Sequence, residues 1–221
     1  MRRWLMVVAC AALLLTGCTS DEPEVEPSPV PTPSIASLEP DALSEFYEQT
    51  ADWSECGQFE CATIDAPLSY EDPDGRTINL SMLKRVATNE DDKIGTLFIN
   101  PGGPGVSGVE YARLADVLFT KPVLDNYDIV GWDPRGVGES TSINCLTDEE
   151  TDTFLAADGT PDTSAEVVRL ARLNAKFTRG CVTDDAELIP HLGTFSSARD
   201  MDLLRSSVGE QKLNYFGASY G

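Results

Sequence analysis

The last five residues, Gly217-Ala218-Ser219-Tyr220-Gly221, have types and spacing that can do chemistry. They follow a short apolar run, Leu213-Asn214-Tyr215-Phe216. A strand that bends sharply into a helix at G-x-S-x-G forces the serine into a strained backbone conformation and lifts its hydroxyl above the sheet. Glycines two before and two after the serine avoid collision with the neighbouring strand and helix. Five residues are a weak signal alone. Their weight depends on whether the upstream chain supplies the rest of a site.

A serine hydroxyl needs a base to take its proton, and donors for the oxyanion formed when it attacks an acyl carbon. In a strand–turn–helix site, one donor is the backbone N–H after the serine, here Tyr220. A second comes from an upstream loop after a buried strand. Asn100-Pro101-Gly102-Gly103-Pro104-Gly105 fits, because the Gly102-Gly103 pair lets backbone amides point at a ligand. The base is missing. The chain has one histidine, His191, 28 residues before Ser219, on the wrong side for the order Ser, acid, His. His191 is therefore read as an ordinary loop residue, and no triad acid is assigned. The economical reading is a truncated record of a longer enzyme, inactive and unstable by itself, with an apolar last strand at the sheet edge.

Buried strands must position these loops. Ile94–Ile99 is a continuous apolar strand, and Tyr127–Trp132 reads as a second buried strand, which ends in Asp133-Pro134-Arg135-Gly136-Val137-Gly138-Glu139-Ser140. Such runs indicate strands covered on both faces. The spacing predicts a helix over 107–119 between them. A later helix has Ser197 as its cap, Met201, Leu204 and Val208 on one face, and Gly209 as its stop. Upstream, 62–68 and 76–86 read as a hairpin, the second strand alternating at Ile78, Leu80 and Met82, with Asp72-Pro73-Asp74-Gly75 as the turn. A short helix is expected over 41–50. Residues 141–195 read as a polar helical insertion with Val167, Leu170, Ala171 and Phe177 inward. The alternation predicts a mostly parallel sheet with helices on both faces, and motifs at the carboxyl ends of its strands. Arg135 and Asp133 are expected to brace the turn after their strand.

The first 18 residues read as an address. Met1-Arg2-Arg3 precedes an apolar run of 11 residues, Leu5–Leu15, of signal-peptide size. Leu15-Thr16-Gly17-Cys18 resembles the bacterial lipobox, in which the cysteine is lipidated and begins the mature chain. Residues 19–40, rich in proline and acid, read as a tether, leaving 41–221 as the domain. Net charge is −21, from 16 basic and 37 acidic residues, which argues against nucleic acid or an anionic membrane surface as partner. Membrane association is expected only through the lipid. Four cysteines remain in the domain, Cys56, Cys61, Cys145 and Cys181, an even number for an oxidising compartment. Three pairings are open, and Cys56–Cys61 with Cys145–Cys181 is favoured. A zinc site lacks a CxxC pair or a second histidine.

Jointly, the motifs at 100–105, 133–140, Arg199–Arg205 and 213–221 carry a resemblance over about residues 50–221. The chain resembles the amino-terminal half of an α/β-hydrolase, more narrowly the proline iminopeptidase and tripeptidyl aminopeptidase group of secreted bacterial serine peptidases. Proline iminopeptidases usually have histidine where Pro101 stands, so the loop is of the tripeptidyl aminopeptidase kind. The resemblance implies release of short peptides from a free amino end by an acyl-enzyme, without metal or cofactor. Ser219 would be the nucleophile and Gly103 and Tyr220 the oxyanion donors. An esterase or lipase of the same fold, and a non-catalytic binding lipoprotein, are the competing readings.

Overall fold

The computed structural model describes residues 40–184 and 186–221. The leader, Cys18 and all but the last residue of the tether lie outside them. Six strands form one sheet in the order β1-β2-β3-β5-β4-β6. β1 (Ser54–Cys56), β2 (Phe59–Ser69) and β3 (Asp72–Arg85) pair antiparallel, and β3 pairs antiparallel with β5 (Tyr127–Trp132). β4 (Gly95–Asn100) runs parallel to β5 on one side and to β6 (Asn214–Gly217) on the other. Parallel pairing thus unites the three strands that end in the motifs, and an antiparallel half extends the sheet beyond them.

The middles of the central strands are apolar because both faces are covered. Phe98, Val130 and Trp132 point to one side, where they meet Ile64, Leu80, Leu203 and Leu204. Their neighbours Ile99 and Ile129 point to the other and meet Leu83, Val109 and Ala112. Full burial of one such large apolar side chain contributes roughly 1.5–3 kcal/mol. The first face is closed by α7 (Thr194–Ser207), which buries Leu203 and Leu204. The second is closed by α2 (Gly108–Arg113), which buries Val109 and Ala112. α2 sits close because Gly108 has no side chain: a Cβ there would lie 2.0 Å from the Trp132 carbonyl oxygen.

Several local expectations change. The hairpin reverses at Tyr70-Glu71, and Asp72–Gly75 begin β3 instead of forming the turn. Ser69 pairs with Asp72 and Pro67 with Thr77, so residues 73–76 oppose Leu68 alone and their turn chemistry is used in a bulge. The helix expected over 107–119 breaks at Leu114 into α2 and α3 (Ala115–Leu118), and α4 (Lys121–Asn126) follows. The helix expected over 41–50 is a 3-10 turn, Pro40–Leu43, leading into α1 (Ser44–Tyr47). α7 starts at Thr194, not at Ser197, and has no side-chain cap.

Residues 141–195 contain α5 (Asp148–Leu155), opened by a Thr147/Glu150 capping box, and α6 (Ser164–Asp184). The inward stripe expected on α6 is largely outward. Val167 and Phe177 are exposed, and Phe177 stacks on Phe154 at 5.3 Å. Cys145 and Cys181 are disulfide-bonded across this hairpin, and Cys56 and Cys61 join β1 to β2. All four thiols are consumed, so none is left as a metal ligand. Among the described residues no helix is long and apolar enough to cross a membrane.

Candidate active site

β6 delivers Ser219 beside the end of β4, where Asn100 and Gly217 are paired. Ser219 has φ 58°, the one left-handed non-glycine residue among those described. A serine pays a steric cost for that conformation, which persists only when neighbours hold it. The holding contacts are backbone hydrogen bonds: Ala218 N–H donates to the Asn100 carbonyl at 3.0 Å, and Gly221 N–H to the Ala218 carbonyl at 2.9 Å. Ser219 itself is exposed to solvent.

The glycine loop lies directly against this bend. Gly102 has φ 85°, and a Cβ on it would stand 2.5 Å from both the Ala218 carbonyl oxygen and the Tyr220 nitrogen. No side chain can occupy that space. The contact joins two segments more than a hundred residues apart and places the loop next to the Tyr220 amide. Gly102 N–H donates to Asn100 Oδ1 at 2.8 Å, so this amide is already committed. Gly103, with φ 114°, is left as the loop's candidate donor. The peptide bond between Gly103 and Pro104 is cis.

Asn100 was a motif member without a role in the sequence. It ties strand, loop and bend together, through its side chain to Gly102 and its carbonyl to Ala218. Its signal was present, a polar residue ending an apolar strand before glycines. Its two partners are visible only in three dimensions.

Asp133 and Arg135 hold the surrounding frame. Asp133 is fully buried and accepts from Ser107 Oγ at 2.6 Å, Val109 N–H at 3.1 Å and Glu139 N–H at 2.8 Å. It thereby fixes the start of α2, where the glycine loop exits, to the end of β5. Arg135 forms a two-point ion pair with Asp200 of α7, at 2.7 and 2.6 Å, with both side chains fully buried. Its remaining donors reach the carbonyls of Leu68, Pro67 and His191. Tyr70 donates to Asp200 at 2.7 Å. Burial pushes the Asp200 carboxyl above the usual range, while Arg135 and Tyr70 oppose that push. Burial and the adjacent Asp200 carboxylate push the Tyr70 hydroxyl far up. His191 lies in a short 3-10 turn, half-buried, with its carbonyl taken by Arg135. The last contact at this rim links Tyr220 Oη and Thr194 Oγ1, 3.0 Å apart, joining the bend to the first turn of α7.

Together these elements make an exposed serine in a strained bend, flanked by backbone amides of a rigid glycine loop. Such an arrangement can attack an acyl carbon and stabilise the oxyanion. Comparison with known proteins gives the same direction. A family model described as the alpha/beta hydrolase fold matches residues 95–221. The chain is 37% identical over 182 residues to the tripeptidyl aminopeptidase of Streptomyces coelicolor, covering 80% of this chain and 33% of that protein. It is 37% identical over 186 residues to the serine protease Hip1 of Mycobacterium tuberculosis, covering 78% of this chain and 35% of that protein. It is 34% identical over 201 residues to a protein named carboxylesterase B, also of Mycobacterium tuberculosis, covering 89% and 37%. The chain spans about a third of the length of these relatives.

Proposed function

Because this chain belongs to the α/β-hydrolase family, we propose that it is the nucleophile-bearing part of an exported serine peptidase that releases short peptides from the amino end of its substrates. The proposal concerns a polypeptide of the relatives' length, of which this chain spans about a third. Ser219 Oγ attacks the scissile carbonyl and gives its proton to a histidine contributed by the longer polypeptide. The carbonyl oxygen becomes an oxyanion held by the N–H groups of Tyr220 and Gly103. The amine then leaves with a proton, and water hydrolyses the acyl-enzyme. Each donor of this kind is typically worth about 3 kcal/mol of barrier. The observation that carries the reading is the left-handed Ser219 in a bend packed without space against Gly102.

Export is supported by the two disulfides, which fit an oxidising compartment. Attachment through lipid on Cys18 rests on the leader sequence. Peptide is the proposed substrate by the names of two relatives. Ester hydrolysis is a second reading, favoured by the relative named carboxylesterase B. One assay separates them in the polypeptide of full relative length: a tripeptidyl anilide, its amino-acetylated form, and an aryl acetate. The aminopeptidase reading expects the free anilide to be cleaved, acetylation to block cleavage, and Ser219→Ala to abolish it. Preference for the ester, with no anilide cleavage, would overturn it. The 221 residues alone are expected to cleave none of the three.

A further inference from the structure

The glycine loop is held at its exit as well as at its entry. Gly102, Gly103 and Gly105 all have positive φ, so the segment's own stiffness does not choose its shape. The exit is tied to a buried carboxylate. Ser107 Oγ donates to Asp133 Oδ1 at 2.6 Å and accepts the Glu110 N–H at 3.0 Å. Asp133 is itself fixed: it is fully buried, and its other oxygen accepts the Glu139 N–H at 2.8 Å. The packing there is so close that a Cβ on Gly138 would stand 2.1 Å from Asp133 Oδ2. One residue before Ser107, the Val106 N–H donates to the Gly102 carbonyl at 3.3 Å and closes the loop on itself. That carbonyl shares one planar peptide unit with the Gly103 N–H. The cis bond lies one residue further on, so across this trans unit the carbonyl and the N–H point in opposite directions. Holding Val106 therefore sets the direction of the Gly103 amide.

We propose that Ser107 is a positioning residue for the reaction: its hydroxyl, anchored on the Asp133 carboxylate, directs the Gly103 N–H that receives the oxyanion. A hydroxyl suits the place because it donates to the buried anion while accepting from the first turn of α2. Threonine can do both and alanine can do neither. A misdirected amide weakens the hold on the tetrahedral state and leaves ground-state binding of the substrate untouched. The loss therefore falls on kcat and not on KM. This inference rests on the hydrolase reading above.

The test uses the polypeptide of full relative length, with whichever of the tripeptidyl anilide and the aryl acetate it turns over. The inhibitor is a trifluoromethyl ketone matched to that substrate. Ser219 Oγ adds to the ketone carbon, and the ketone oxygen becomes an oxyanion in the same place as the reacting one. Turnover is counted per serine titrated to completion with a fluorophosphonate, so an unfolded fraction does not enter. Ser107→Ala is expected to lower kcat roughly tenfold to a hundredfold and to raise the ketone Ki by a similar factor. KM should stay within about twofold. Ser107→Thr should bring kcat and Ki back to within about threefold of wild type. Ser107→Gly removes the same tie but leaves a residue that helix starts tolerate, so it carries the test where the alanine variant does not fold. An active wild type whose kcat and Ki move less than about twofold on losing the hydroxyl would overturn the role of Ser107 and leave the hydrolase intact. A fall in kcat without a rise in Ki would overturn it too. A wild type with no turnover dependent on Ser219 would overturn the hydrolase reading, and this positioning role with it.

Discussion

Asn100 accepts the Gly102 N–H on its side chain at 2.8 Å and, on its carbonyl, the N–H of Ala218 at 3.0 Å. One residue thus sets the distance between the glycine loop and the serine bend. The loop has no freedom to drift, because Gly102 already touches the backbone of Ala218 and Tyr220. Gly102→Ala is therefore expected to separate loop from bend, as its Cβ has no room and its φ of 85° disfavours a side chain. In the polypeptide of relatives' length, kcat should fall by about 10²–10³, the loss of one oxyanion donor. Asn100→Ala should lower it as well, with circular dichroism unchanged. Near wild-type turnover in Gly102→Ala would show that the loop plays no part in the reaction.

The Arg135–Asp200 pair sits fully buried between the β5 turn and α7. Removing one partner leaves a buried charge, so Arg135→Met or Asp200→Leu alone should cost roughly 3–5 kcal/mol in urea unfolding. The double substitution should cost clearly less than the two single losses together. Additive losses would mean that the two side chains do not act as a pair.

The Cys145–Cys181 disulfide closes a 36-residue separation across α5 and α6. Replacing both cysteines by serine is expected to cost about 3–4 kcal/mol by the loop-entropy account. Limited proteolysis should then cut first between residues 146 and 180. Unchanged protection there would show that the hairpin is held by its own packing instead.

Two tyrosines give a pH signature. Burial, with a hydrogen bond to Asp202, pushes the Tyr47 hydroxyl up to about 12, and burial beside Asp200 pushes the Tyr70 hydroxyl up as well. A hydroxyl whose folded pKa is raised stabilises the fold fully below its unfolded value, near 10. That contribution is lost as pH rises from there toward the folded value. Tyrosinate absorbance from Tyr70 should therefore appear only together with loss of circular dichroism above about pH 10. Tyr70→Phe should remove one tyrosinate from that coincident step. Ionisation of Tyr70 near pH 10 with the fold intact would contradict its buried contact with Asp200.

The sequence disclosed the parts of the site that backbone chemistry dictates. Apolar stretches marked β4 and β5, glycine clusters marked their ends, and G-x-S-x-G marked the bend after β6. It misplaced features decided by tertiary contact. Asp72–Gly75 has turn composition, but the register of β2 and β3 uses it as a bulge. Ser197 reads as a cap, yet α7 begins earlier, at the turn anchored through His191. The burial of Asp200 has no mark in the sequence, because its partner Arg135 meets it only in the fold. Thr194 carries no motif at all, and its pairing with Tyr220 spans 26 residues.

The most direct test of the central claim is covalent. A fluorophosphonate probe reacts with a serine only when its oxygen is activated and the resulting oxyanion-like adduct is held. After labelling the polypeptide of relatives' length, peptide mass spectrometry should find the adduct on Ser219, and Ser219→Ala should abolish it. An active enzyme that carries the adduct on a different serine, or that stays active in Ser219→Ala, would contradict the account.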